Sequence, residues 1–298
     1  MSTHPDLPDT LVHFTGRPRG QTDLPPDFAQ GTPEQRLVSI LHSGTLRGAT
    51  TFGTDAPVIC FSEATEDARR TMLRDGAGAR GPYAPWGLVL DRQQLIGAGA
   101  RPVLHVSREE RAEMQAGMPR QTYNRCVAYE PDPARGRSDW LHEREWRICF
   151  EAGNEPVLPI TPQPVVEAGE AVSFTPHLVV GVIVGTLGWT PPLRDRSTEE
   201  MTSSFVTSIQ AVRRAMTERS DLSWSRVTVN SRSIGFARPA NGLARWYWNG
   251  AELVPDGVID IQAQEWETTM RWGGTLPGFS VTLDPEEGWE ELRGDGRV

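Results

Sequence analysis

The segment His142-Glu143-Arg144-Glu145-Trp146-Arg147-Ile148-Cys149-Phe150 carries the densest chemistry in the chain. As a strand it puts Glu143, Glu145 and Arg147 on one face and His142, Arg144 and Trp146 on the other. Two carboxylates fixed beside a guanidinium can stabilise positive charge as it develops on a reacting atom. As a helix, Glu143 and Arg147 would make an ordinary surface pair at i,i+4 spacing, with no catalytic meaning. The apolar continuation Ile148-Cys149-Phe150 favours the strand. Spacing alone leaves a structural pair and a catalytic pair equally open.

His13, in Leu11-Val12-His13-Phe14-Thr15, is a lone histidine in an apolar strand, a pattern that more often marks a satisfied core residue than a ligand. His4, His42, His105, His142 and His177 show no paired metal-binding spacing, so no metal is expected. No GxGxxG follows a strand and no GxSxG occurs. Cys60, Cys126 and Cys149 are odd in number and widely spaced, which argues against a disulfide framework and fits a reducing cytoplasm.

All 30 basic residues are arginine. With no lysine there is no P-loop lysine, no Schiff base and no kinase-type ATP lysine, so any bound anion must rely on arginine, backbone N–H groups or helix N-termini. The formal charge of −9 is carried mainly by the second half of the chain, which argues against a pure nucleic-acid-binding module. Arg69, Arg70, Arg74 and Arg80 form the densest basic stretch, and pairing with Glu66 and Asp67 on a solvated helix face explains it equally well. No apolar run is long enough to cross a membrane.

The elements that must position these residues read as α+β. Thr32-Pro33-Glu34-Gln35 opens a helix with Leu37, Ile40 and Leu41 on one face and Gly44 as its stop. Strands are expected over 57–62, 83–90 and 102–107, a helical stretch over 63–74, and a strand pair around 155–160 and 178–184. Pro191-Pro192 separates a domain over 1–190 from a C-terminal region over 191–298. There Ser197-Thr198-Glu199-Glu200 caps a helix lined by Met201, Phe205, Ile209, Val212 and Met216, and Asn249-Gly250 turns a hairpin as type I′. Seven of the ten tryptophans lie after residue 180, as filling for a small core or as a recognition surface.

Taken in order, Leu11–Thr15, Ser39–Leu46, Val58–Glu63, Tyr83–Leu88, Gly99–Leu104 and Glu143–Arg147 resemble the successive signatures of the AbiGi-type abortive-infection proteins, themselves similar to DarT-like ADP-ribosyltransferases. The resemblance covers roughly residues 11–185. It implies an ADP-ribosyltransferase-like split mixed β-sheet with flanking helices, binding NAD as substrate between its halves. It further implies that Glu145 is the catalytic glutamate and that Glu143 assists the acceptor. His13, Phe14 and Thr15 would meet the ribose or the nicotinamide amide, Ser62 would lie in the second-motif strand, and Tyr83 or Trp86 would stack on nicotinamide. Arg17, Arg19 and Arg47 are the candidates for the pyrophosphate.

The resemblance implies transfer of ADP-ribose to nucleic acid or protein by a cytoplasmic toxin or anti-phage effector. The alternatives are a glycohydrolase that depletes NAD and an inert antitoxin or phage-sensing protein of the same fold. A fixed carboxylate that accepts the ribose 2′-hydroxyl would stabilise the cationic transition state more than the ground state.

Overall fold

Apolar runs near the start and middle of the chain build the strands that carry the candidate residues. The computed structural model describes residues 7–17, 31–51, 53–76, 81–130, 141–151, 153–160, 164–165, 173–174, 178–218, 224–229, 232–237, 242–273, 275, 279–283 and 290–294. The strands are β1 (Thr10–Phe14), β2 (Thr45–Arg47), β3 (Val58–Ser62), β4 (Gly87–Asp91), β5 (Arg101–Pro102), β6 (Leu104–Val106), β7 (Cys126–Ala128), β8 (Glu145–Cys149) and β9 (Val157–Pro159). They continue with β10 (Pro164–Val165), β11 (Ser173–Phe174), β12 (Val179–Val184), β13 (Trp224–Val229), β14 (Arg232–Ala237), β15 (Leu243–Trp248), β16 (Leu253–Ile259), β17 (Phe279–Leu283) and β18 (Glu290–Gly294). The helices are α1 (Pro33–Ser43), α2 (Glu66–Arg74), α3 (Arg92–Gly97), α4 (Arg108–Gly117), α5 (Arg120–Tyr123), α6 (Thr198–Glu218) and α7 (Ile261–Gly273). No described helix is long and apolar enough to cross a membrane.

The chain divides into two units, residues 1–190 with 243–258, and residues 191–242 with 259–298. The first holds a mixed α+β fold around an eight-stranded sheet of order β16-β15-β12-β4-β1-β3-β8-β5. β12 and β15 run parallel, and the ladders from β12 through β4, β1, β3 and β8 to β5 are antiparallel. The Ala244–Trp248 strand, grouped by sequence with the C-terminal region, lies in this sheet.

β1 pairs with β4 along its whole length, from Thr10 opposite Asp91 to Phe14 opposite Gly87. On its other side it meets β3 only where Val12 faces Ser62. β3 and β8 then pair fully, from Val58 opposite Cys149 to Ser62 opposite Glu145. The β1–β3 ladder is therefore short, a single residue pair next to the candidate residues. Period-two alternation divides the core between the two faces. Val12, Val89 and Ile183 cluster with Phe14, Trp246 and Leu253. Leu11, Leu88, Leu90 and Leu37 are fully enclosed, α1 packing against β4. Burying each such leucine contributes about 1.5–3 kcal/mol.

α1 forms as its sequence dictates. The Thr32 hydroxyl accepts from the Gln35 N–H, the Gln35 side chain accepts from the Thr32 N–H, and Gly44 ends the helix at φ 63°. Ser107 and Glu110 form an equivalent box at the start of α4, a helix that periodicity did not reveal because none of its residues is buried.

Several expected elements differ. The helix expected over 63–74 starts at Glu66. The strand expected from Tyr83 starts at Gly87, because the Trp86 N–H turns back to the Ala84 carbonyl. The 102–107 strand is split into β5 and β6, which join different sheets. β9 pairs with β2, and β12 pairs with β4 and β15, so the two expected partners never meet. At Asn249-Gly250 only the glycine has positive φ, so the turn is not type I′; the Asn249 side chain instead accepts from the Ala251 and Glu252 N–H groups.

In the second unit, α6 packs against α7, and β13–β14 and β17–β18 are antiparallel pairs. Arg196 donates to the Glu265 carbonyl and the Thr269 hydroxyl, tying the segment before α6 to α7. Met201 and Phe205 are buried. The side chains of Ile209, Val212 and Met216 lie outside the described set.

Candidate functional site

Strand β8 begins at Glu145, not before it. Leu141–Glu143 form a 3-10 turn, and Arg144 links turn to strand at φ 43°, the single non-glycine residue with positive φ among those described. This corrects the expectation that Glu143, Glu145 and Arg147 share one strand: Glu145 and Arg147 do, and Glu143 reaches the same region from the turn. A branched-free but bulky residue in the left-handed region costs about 1–2 kcal/mol. Neighbouring groups hold the conformation in place. The Arg144 N–H donates to Leu141 and its carbonyl accepts from Glu63. The Ser62 hydroxyl donates to the Glu143 carbonyl at 2.6 Å and accepts from the Ala64 N–H.

The two carboxylates are held differently. Glu145 takes a forked contact from Arg147, Nε at 2.8 Å and Nη2 at 3.4 Å. Arg147 is 3% exposed, and its Nη1 donates to the Asn124 carbonyl. Burial works against the Arg147 charge, yet Glu145 raises its pKa above the ordinary value. Glu143 receives the Tyr83 hydroxyl at 3.2 and 3.3 Å, and Arg17 Nη2 lies 3.6 Å away. Burial raises the Glu143 pKa and the Glu145 charge adds to it, while Arg17 opposes both. Tyr83 is pushed up by burial and then by the Glu143 charge. The arrangement thus pairs one carboxylate bound by a buried guanidinium with one whose pKa burial raises, which suits the second to take up a proton.

Phe14 stacks on Tyr83 with ring centroids 4.8 Å apart, and Arg17 Cζ lies 3.8 Å from the Tyr83 centroid. Ser62 and Tyr83 therefore sit with the carboxylates. Thr15 is elsewhere engaged: its hydroxyl lies 2.6 Å from the Pro33 carbonyl and 3.0 Å from that of Trp86. His13 Nδ1 hydrogen-bonds the Cys60 carbonyl at 2.9 Å, and burial lowers its pKa. Donation from Nδ1 to a carbonyl makes the neutral ring an acceptor at Nε2. Trp86 packs edge-on against Trp189. Arg47 is exposed in β2, and Arg19 lies outside the described residues.

Arg147 and Asn124 were not read from the sequence as site residues. The i,i+2 spacing from Glu145 was a signal for the first; nothing local marks the second, which is fully buried and also accepts from the Asp55 N–H through its side chain. Cys60 faces Arg147 across the β3–β8 ladder, and burial, then Glu145, raise its thiol pKa well above the ordinary value. That position disfavours a reactive thiolate. In the basic stretch, Arg70 pairs with Glu66 at 2.6 Å and Asp67 at 3.3 Å. Arg69 donates to the Ala64 carbonyl, and Arg80 lies outside the described residues. Among the described residues, no group of His, Cys, Asp and Glu could hold a metal ion.

The chain was compared with protein-family models, characterised proteins and solved structures, and it matches none of them.

Proposed function

We propose that this protein is an ADP-ribosyltransferase that moves ADP-ribose from NAD to a macromolecular acceptor, nucleic acid or protein, as a toxin or anti-phage effector. The observation that carries the reading is the pair of unlike carboxylates, Glu143 and Glu145, at the head of β8, where β3 shares a single residue pair with β1. The split mixed sheet of ADP-ribosyltransferases is in keeping with that thin junction. The aromatic Tyr83 and the fixed carboxylate Glu145 suit the nicotinamide and the ribose of NAD by chemical type.

In the proposed reaction the bond between ribose C1′ and the nicotinamide nitrogen breaks, and its electron pair leaves with nicotinamide. Glu145, oriented by Arg147, accepts the ribose 2′-hydroxyl hydrogen and stabilises the positive charge that builds on the sugar. The acceptor atom bonds to C1′, and its proton passes to Glu143. Thr15 supports the end of β1 and contributes no hydroxyl to the ligand.

The test is incubation with labelled NAD in a host-cell extract, following label incorporation and free nicotinamide for the wild type and Glu145→Gln. Incorporation that vanishes in the variant supports the proposal and names the acceptor class. Nicotinamide release without incorporation replaces transfer by glycohydrolysis, and neither signal, with no NAD binding, overturns both.

A further inference from the structure

Tyr83 is the ring on which nicotinamide would stack in the reading above, and both its faces are covered. Phe14 lies 4.8 Å from it, 25° from parallel, and the Arg17 guanidinium carbon is 3.8 Å from its centroid. Two flat groups that close to one six-membered ring cannot lie side by side on a single face, so they take opposite faces. Phe14 is fixed by the β1–β4 ladder. Arg17 follows the end of β1, and its side chain is held by the Tyr83 face, by Nη1 donation to the Gly81 carbonyl, and by the Glu143 carboxylate. Among the described residues its buried Nη2 has no hydrogen-bond partner, the 3.6 Å approach to Glu143 being too long for one.

We infer that Arg17 is an internal plug: its guanidinium occupies the face of Tyr83 that the nicotinamide ring of NAD must take, and NAD enters by displacing it. The inference rests on the ADP-ribosyl-transfer reading. The exchange is chemically matched, since the nicotinamide ring of NAD is itself a flat cation and meets the same aromatic face and the same carboxylate. Once the bond to ribose breaks, the departing nicotinamide is neutral and loses that attraction. Arg17 then regains the face, and its return helps to expel the product.

Calorimetric titration with 1-methylnicotinamide, a flat cation, with nicotinamide and with ADP-ribose separates the roles. Relieved of the plug, Arg17→Gln binds 1-methylnicotinamide and NAD more tightly, on the order of tenfold, because less of the protein is held in the closed state. Its affinity for ADP-ribose is unchanged. Arg17→Lys keeps the charge without the flat stack and shows a smaller gain, and the thermal unfolding of both variants reports whether the fold is retained. Unchanged or weaker binding of 1-methylnicotinamide by a folded Arg17→Gln overturns the plug while leaving the transferase reading intact, and a loss of ADP-ribose affinity makes Arg17 a pyrophosphate ligand instead. Absence of all binding by wild type and variants overturns the transferase reading and the plug together.

Discussion

Glu145 faces Arg147, a guanidinium almost fully removed from water, so changing the carboxylate touches stability as well as chemistry. Glu145→Gln is expected to abolish transfer and also to cost about 3 kcal/mol, because it leaves a buried charge without its counter-charge. Denaturant unfolding alongside the activity assay checks both. His13 makes a separate prediction. Its pKa is lowered in the folded state, so its contribution to stability is complete above about pH 6.5 and is lost as the pH falls below that value, where the unfolded chain binds the proton first. Glu143, with a raised pKa, acts in the opposite sense, losing stability as the pH rises above the ordinary carboxylate range. The His13 share is therefore read as a difference: His13→Asn, which keeps an N–H for the Cys60 carbonyl, flattens the profile of unfolding free energy below about pH 6.5 relative to wild type. The alternation of Glu145 and Arg147 was legible in the sequence because i,i+2 spacing on a strand is local. The meeting of Arg17, Tyr83 and Glu143 was not, because three separate connecting segments bring them together.

Among the elements, β1 and β4 lie close together where the site begins. A Cβ added at Gly87 would lie 2.7 Å from the His13 carbonyl oxygen and 3.3 Å from Phe14 Cα, backbone atoms that cannot swing aside. Gly87→Ala is expected to destabilise the fold by about 1–3 kcal/mol and to weaken NAD binding by shifting Phe14; unfolding and calorimetry measure the two effects. Thr32→Ala, which removes the cap of α1, should cost about 1 kcal/mol and leave NAD affinity unaltered. α1 was legible almost to the residue since cap, proline, apolar face and terminal glycine are all local signals. Strand partners are not local. The pairing of β9 with β2, and the start of β4 two residues beyond Pro85, depend on contacts that no window of sequence contains. Arg144 was equally hidden, because an arginine gives no sign that its backbone will turn left-handed.

The first unit as a whole draws on two stretches of chain that are far apart in sequence, since β15 and β16 complete the sheet begun by residues before 190. A chain ending at Thr190 would leave β12 with a bare edge, in a strand whose Val182, Ile183 and Val184 are at most 1% exposed in the intact protein. Such an edge invites association. Truncation after Thr190 is expected to give aggregated or non-cooperatively unfolding material. Soluble, cooperative behaviour of the shorter chain would show that β15 is dispensable. The same pairing also sets a timetable for the newly made protein. β12 leaves the ribosome well before β15, and at roughly 5–20 residues per second the wait lasts seconds. During that wait β12 has its β4 partner but not β15, so the nascent chain carries an open, apolar strand edge until residues 243–248 are made.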